Sequence, residues 1–147
     1  MVLGSVGVLV LIGCTSGESP KTKAAFAEIE ALTTRLRMTG LGQVVTDTSY
    51  GALKLSSDPP TRVLVVTTPS PQGARDALNQ RLAEAGWRQR GSCPADGPCT
   101  FEGDSDGHVM TVTSVILAPG TSYPVRDARH TLPAGSPGLL IRTVANS

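Results

Sequence analysis

Two histidines are the side chains of this chain whose type best suits general acid–base chemistry. His108 and His130 could each act as a general base if a carboxylate lay within hydrogen-bond reach in a pocket. They lie far apart in the sequence, and no H-E-x-x-H or paired-histidine pattern accompanies them. Polar surface residues are the simpler interpretation, and a small cell-envelope hydrolase using His108 or His130 stays an alternative.

Two neighbouring aspartates, Asp104 and Asp106, lie between Gly103 and Gly107. A D-x-D-G pattern can begin a calcium-binding loop, but such a loop needs further oxygen ligands and a glutamate at its twelfth position. Counting from Asp104, that position is Val115. Aspartate and glycine in this arrangement are typical of a tight hairpin turn. The sequence therefore predicts a turn here, and no metal site.

Motifs for nucleophilic catalysis and cofactor binding are absent from the sequence. Ser136 lies in an A-G-S-P-G context, which lacks the first glycine of a nucleophile elbow, and no S-x-x-K, P-loop or G-x-G-x-x-G pattern occurs. A formal net charge of +1 and only five aromatic residues indicate no basic, base-stacking surface. We therefore expect no cofactor and no nucleic-acid partner, and we favour a non-enzymatic protein.

Cysteine first occurs at the end of an apolar run that begins at Val2. The run closes with Leu11, Ile12, Gly13 and Cys14, a tetrad that resembles the lipobox of bacterial lipoproteins. The resemblance implies a diacylglyceryl group on the Cys14 thiol and cleavage before that residue by a signal peptidase. It also implies a location outside the cytoplasm, with the lipid anchoring the protein to the cell membrane.

The resemblance divides the chain into a signal peptide over residues 1–13, a tether over 14–22 and one domain over 23–147. The tether is rich in small polar residues, as a flexible linker should be. Residues 1–13 contain no lysine or arginine, whereas a signal peptide usually opens with a basic region. An apolar N-terminal strand or a buried helix with a structural cysteine is one alternative. An intracellular domain with a truncated start and free thiols is another.

The other two cysteines, Cys93 and Cys99, flank a loop rich in proline and glycine. In the oxidising compartment that the lipobox implies, such an even pair most simply forms a disulfide. Two thiols without a nearby histidine or third cysteine are too few ligands for zinc. We therefore predict a Cys93–Cys99 disulfide.

Two amphipathic helices are predicted. Over residues 23–38, apolar side chains recur at spacings of three and four, and the simplest interpretation is a helix that packs on its own core. The second helix runs from Pro71 to about residue 85, with Ser70 as N-cap and Gly86 as a fitting C-cap. Trp87 is expected to fold back onto the end of this helix as a core residue.

Strands are predicted between and after the helices from β-branched content and alternation. They cover residues 43–46 and 53–55 (a strand–turn–strand unit), 62–68, 87–90, 100–102, 109–117 and 139–144. The expected fold class is α+β, an antiparallel sheet of about five strands with two helices packed on one face.

Residues 118–138 contain four prolines and three glycines and are predicted to form a long irregular loop. A solvated loop is the simpler interpretation, but one cluster in it could contact a partner. That cluster is Tyr123, Arg126, Asp127, Arg129 and His130.

The sequence as a whole favours a membrane-anchored extracytoplasmic lipoprotein that acts as a non-enzymatic binding or assembly module. Its partners would be the membrane, through the lipid on Cys14, and a protein of the cell envelope. A phage- or prophage-encoded lipoprotein that excludes superinfecting phage would share these features, and the hydrolase is a further alternative. No motif identifies the family of the domain.

Overall fold

The computed structural model describes residues 19–53 and 58–146. The lipobox and most of the predicted tether therefore lie outside the described residues. The elements are α1 (Pro20–Arg35), a 3₁₀ helix (Met38–Leu41), β1 (Gln43–Tyr50), β2 (Thr61–Thr67), α2 (Pro71–Glu84), β3 (Arg88–Arg90), β4 (Cys99–Ser105), β5 (His108–Leu117), β6 (Ser122–Val125), β7 (Ala128–Thr131) and β8 (Gly138–Ala145).

Six strands form one sheet in the order β1-β2-β8-β5-β4-β3, and every neighbouring pair is antiparallel. β6 and β7 form a separate two-stranded sheet. The predicted α+β class is confirmed, but the strand count exceeds the five expected. The C-terminal strand β8 lies in the middle of the large sheet and is mostly buried, because both faces of that sheet are covered.

The two helices pack on one face of the large sheet, as predicted. Buried side chains of α1 and α2, such as Ile29, Leu32 and Leu78, meet the sheet residues Leu64 and Ile141 in one apolar cluster. Fully burying an aliphatic side chain contributes about 1.5–3 kcal/mol. This cluster is therefore the main source of stability for the helix layer.

The first helix starts earlier than the sequence pattern indicated. Ser19 is its N-cap, with the Ser19 hydroxyl accepting a hydrogen bond from the Thr22 backbone N–H, and Pro20 occupies the first turn. Residues 20–22, which were assigned to the tether, therefore belong to the helix. Phe26 is only half-buried, and Ala25 takes the core position instead.

The end of α2 agrees closely with the prediction. Gly86 adopts φ +91°, and its N–H and that of Trp87 bond the carbonyls of Ala83 and Leu82. These two bonds make a Schellman motif, which turns the chain back over the helix end. Trp87 is consequently buried and lies against Gly103, where an added Cβ would come within 2.5 Å of the indole ring.

The segment 118–138 is not a long irregular loop, and this prediction was wrong. It contains the β6–β7 hairpin, whose Tyr123 and Val125 alternate with the exposed Ser122 and Pro124. Tyr123, Val125 and the nearby Leu132 pack on the sheet face opposite the helices. The frequent prolines and glycines concealed a strand only four residues long.

The strand–turn–strand unit predicted from strands at 43–46 and 53–55 was also wrong in the part that the structure describes, apart from its first strand. β1 is a single strand that continues through Tyr50 and pairs with β2. The chain leaves it at Gly51, whose φ of +100° and close approach to the Pro59 carbonyl exclude a side chain. Leu53 lies outside the strand, and residues 54–57 lie outside the described residues.

Candidate interaction surface

Cys93 and Cys99 form a disulfide, with their Cα atoms 4.5 Å apart, in agreement with the prediction from the sequence. Cys99 is the first residue of β4 and is buried, whereas Cys93 is half-buried in the loop before it. The bond therefore closes the loop over residues 94–98 onto the edge of the helix layer.

Arg75 of α2 holds the same loop from inside. It is 1% exposed, and its guanidinium donates to the carbonyl oxygens of Pro94 at 2.7 Å and Gly97 at 2.8 Å. Asn79, one helical turn later, donates to Cys99 Sγ at 3.4 Å. Because the disulfide and Arg75 act on one loop, this corner of the molecule is a structural clamp. The buried role of Arg75 was not predicted, since nothing in the sequence distinguishes its position from that of an exposed helical arginine.

The predicted contact cluster is divided by the hairpin that carries it. Tyr123 points inward, 3% exposed, and its hydroxyl lies 2.7 Å from Thr46 Oγ1. The His130 ring stacks on Tyr123 with ring centroids 5.7 Å apart. The charged members, Arg126, Asp127 and Arg129, are exposed at the tip of the hairpin and beside it. Two of the five residues therefore belong to the packing of the hairpin.

Arg126 also connects the hairpin tip to the loop after β1. Its guanidinium carbon lies 5.1 Å from the centroid of the Tyr50 ring, and its Nε lies 3.7 Å from a carboxylate oxygen of Asp58. The side chains of Arg126 and Asp58 are 49% and 43% exposed, so solvent screens this ion pair. The contact orients the hairpin tip more than it stabilises the fold.

The two histidines lie on different sheets, since His108 begins β5 and His130 belongs to β7. Asp106 and Gly107 adopt φ +50° and +84°, as a two-residue hairpin turn requires, so the turn predicted at this position is confirmed. Within residues 19–53 and 58–146, no group of three or more His, Cys, Asp or Glu side chains is placed to hold a metal ion.

An open groove of about 540 Å³ lies between α1 and β1. A volume of this size lies within the range of ligand sites, about 300–1,000 Å³. The groove exists because α1 covers β2 and β8 but leaves the helix-side face of β1 open. Its lining residues are Phe26, Ile29, Glu30, Asp47, Ser49, Tyr50, Gly51 and Arg62.

A charged pair forms the floor of this α1–β1 groove. Arg62 Nε and Nη2 donate to the two Asp47 carboxylate oxygens at 2.9 Å and 2.8 Å, a bidentate bond between neighbouring strands. These hydrogen bonds raise the pKa of Arg62, burial opposes the change, and the charge of Glu30 supports it. Arg62 therefore stays charged, and two carboxylates face one guanidinium in the groove.

The outer edge of β1 borders the same groove. β1 is the first strand in the order of the large sheet, and among the described residues no strand pairs with its outer side. Val44 and Val45 on this strand are each 39% exposed, and the register shifts between Val44 and Thr46. At the opposite edge, β3 has only three residues, two of them arginines. Short, charged edges resist strand pairing, whereas β1 is longer and its stretch from Thr46 to Tyr50 carries one charged residue, Asp47, which is bonded to Arg62.

Comparison with known proteins adds no family to this description. No protein-family model matches the chain, and neither curated proteins nor solved structures give a match. Across the described parts of the chain, no helix is both long enough and apolar enough to cross a membrane. The groove, the strand edge and the disulfide are the features of the described residues that bear on function.

Proposed function

We propose that this protein is an extracytoplasmic lipoprotein, anchored to the membrane through Cys14, whose domain is a non-enzymatic binding module. The observation that carries the location is the disulfide between Cys93 and Cys99. Structural disulfides persist in oxidising compartments and are rare in the cytosol. The lipobox-like tetrad ending at Cys14 supports the same compartment.

The start of α1 limits how far the domain would lie from such an anchor. Cys14 precedes the cap residue Ser19 by five positions, and five extended residues span at most about 18 Å. The Leu53 N–H donates to Thr22 Oγ1, which ties the loop after β1 to the same end of the domain. The end of the α1–β1 groove at Gly51 would therefore face the membrane, and its other end would face outward.

The groove supports the binding role. It combines the aromatic ring of Phe26 with converging charged groups, as binding sites commonly do. Its position beside an open strand edge favours a macromolecular partner over a small substrate, because the edge offers unpaired backbone groups along its whole length.

Treatment of intact native cells with a membrane-impermeant protease tests the proposed location. We expect the chain to be degraded while a cytoplasmic marker protein stays intact, and alkylation under denaturing, non-reducing conditions should leave Cys93 and Cys99 unlabelled. Survival of the chain until the cells are lysed, or labelling of both cysteines, would contradict the proposal.

A further inference from the structure

We infer that the outer edge of β1, from Thr46 to Tyr50, is a docking site for an extended, basic segment of a protein partner. The segment would add a strand to the large sheet and place lysine or arginine side chains in the α1–β1 groove. This inference deepens the binding role proposed above and names the chemistry of the partner.

The strand itself provides the backbone half of this site. Thr46 to Tyr50 pair in regular register with β2 from Val65 to Thr61, so every second N–H and C=O along this stretch points away from the sheet. The stretch contains no proline, and its one charged residue, Asp47, is already bonded to Arg62. The irregularity that ends this regular stretch lies at the other end of β1, next to Val44 and Val45.

The groove provides the side-chain half and selects for positive charge. Asp47 and Ser49 project to the helix side of β1 and line the groove with Glu30, which lies on the opposite wall in α1. Asp47 is balanced by Arg62, whereas Glu30 is exposed and takes part in no ion pair found among the described residues. Alternate residues of an added strand would face this groove, where the carboxylates of Glu30 and Asp47 outnumber the one guanidinium of Arg62. Basic side chains would therefore be favoured by the net negative charge of the groove.

The same charges disfavour a second copy of this chain as the occupant. Antiparallel pairing of two β1 strands about a two-fold axis makes one continuous sheet with both helix layers on the same side. The two grooves would then face each other across the junction. Glu30 and Asp47 of each copy would approach the same residues of the other, and like charges placed together cost binding free energy.

The test uses the full 147-residue chain with Cys14→Ser, with the disulfide intact, so that it does not depend on lipid attachment. The probe is the capped peptide TVKVTVKT, titrated to millimolar concentration while amide resonances are followed by NMR at low salt. We expect saturable shifts of the β1 amides and slower hydrogen exchange there. A peptide with N-methyl groups on alternate residues should lose binding, and TVEVTVET should bind more weakly.

A matched pair of variants separates the charge from general effects. Glu30→Gln should weaken binding of the lysine peptide about two- to fivefold at low salt, while Glu84→Gln on the exposed side of α2 should leave it unchanged. Folding of both variants is checked by their unchanged spectra away from β1. Equal binding by Glu30→Gln would overturn the charge selection.

Three other outcomes would overturn the inference as a whole. The first is absence of any β1 shift, or shifts confined to the hairpin of β6 and β7. The second is a concentration-dependent dimer that protects β1 without peptide, which would make a second copy the occupant. The third is peptide binding only after deletion of residues 1–18, which would make that segment of the chain the occupant. A failed anchor at Cys14 would leave the peptide result unaffected, so the two proposals fail separately.

Discussion

Arg75 shows how one buried charge can be held by the backbone. Its guanidinium donates two hydrogen bonds to carbonyl oxygens of the disulfide loop, and no carboxylate of the described residues forms an ion pair with it. A buried charge is costly unless it is hydrogen-bonded, so the loop must keep its conformation for Arg75 to remain inside. The disulfide also restricts that loop in the unfolded chain, and the lost conformational entropy contributes about 2 kcal/mol to the free energy of unfolding.

Arg75→Met should therefore lower the free energy of unfolding by about 3 kcal/mol, because two charge-assisted hydrogen bonds are lost. Arg75→Lys should lose less, since one ammonium group can reach one carbonyl but does not form the guanidinium fork. Urea denaturation measures both. The exposed Arg88→Met is the control and should change stability by less than about 0.5 kcal/mol. Equal stability of Arg75→Met and the unaltered chain would show that the clamp is unimportant.

Among the elements, the unit from β2 through α2 to Trp87 has a structure that is determined mostly by residues close to it in the sequence. Its helix begins at a serine cap followed by proline and ends at a glycine with positive φ, and each signal lies within a few residues of the feature it determines. This is why the sequence predicted this unit closely, including the buried position of Trp87.

The packing of Trp87 on Gly103 makes a sharp prediction about this unit. Gly103→Ala would place a methyl group within 2.5 Å of the indole, so it should destabilise the fold by about 1–3 kcal/mol and alter tryptophan fluorescence. Gly40→Ala is the matched control, because no atom lies within 4 Å of its added Cβ. A stable Gly103→Ala variant with unchanged fluorescence would contradict the described contact.

The β6–β7 hairpin depends on a contact that joins residues far apart in sequence. Thr46 and Tyr123, both buried, share a hydrogen bond of 2.7 Å. Tyr123→Phe should cost about 1 kcal/mol, since the Thr46 hydroxyl is left unpaired, and adding Thr46→Val should recover part of the loss. Thermal unfolding of the two single variants and the double variant measures this coupling. Strictly additive losses would show that the hydrogen bond contributes nothing.

The parts that the sequence did not predict are those set by distant residues. Nothing in the sequence near Asp47 indicates that Arg62 lies beside it. Likewise, nothing near Tyr123 indicates that its hydroxyl shares a hydrogen bond with Thr46. The hairpin escaped prediction because its strands are short and one of them contains a proline. The α1–β1 groove was not predicted because it follows from where α1 lies on the sheet. The helices and the apolar strands were predictable because their periodicity is local.

At the scale of the whole molecule, the large sheet is covered on both faces, by helices on one and by the hairpin on the other. Among the described residues, the long edge strand β1 has no strand paired to its outer side, and the groove lies next to it. A binding module needs a surface with unpaired backbone groups, such as this edge. In a module anchored to the membrane, that surface must also be within reach of the partner. The proposed anchor and the proposed docking edge are therefore compatible in one molecule.

The intact mass of the chain, isolated from the membrane fraction of its native host, tests the proposed lipid on Cys14. We expect a mass that begins at Cys14 and includes a diacylglyceryl group, with the disulfide oxidised. The Cys14→Ala variant should lose both the lipid and the membrane association. A full-length, unmodified chain in the soluble fraction would contradict the account, and with it the extracytoplasmic location.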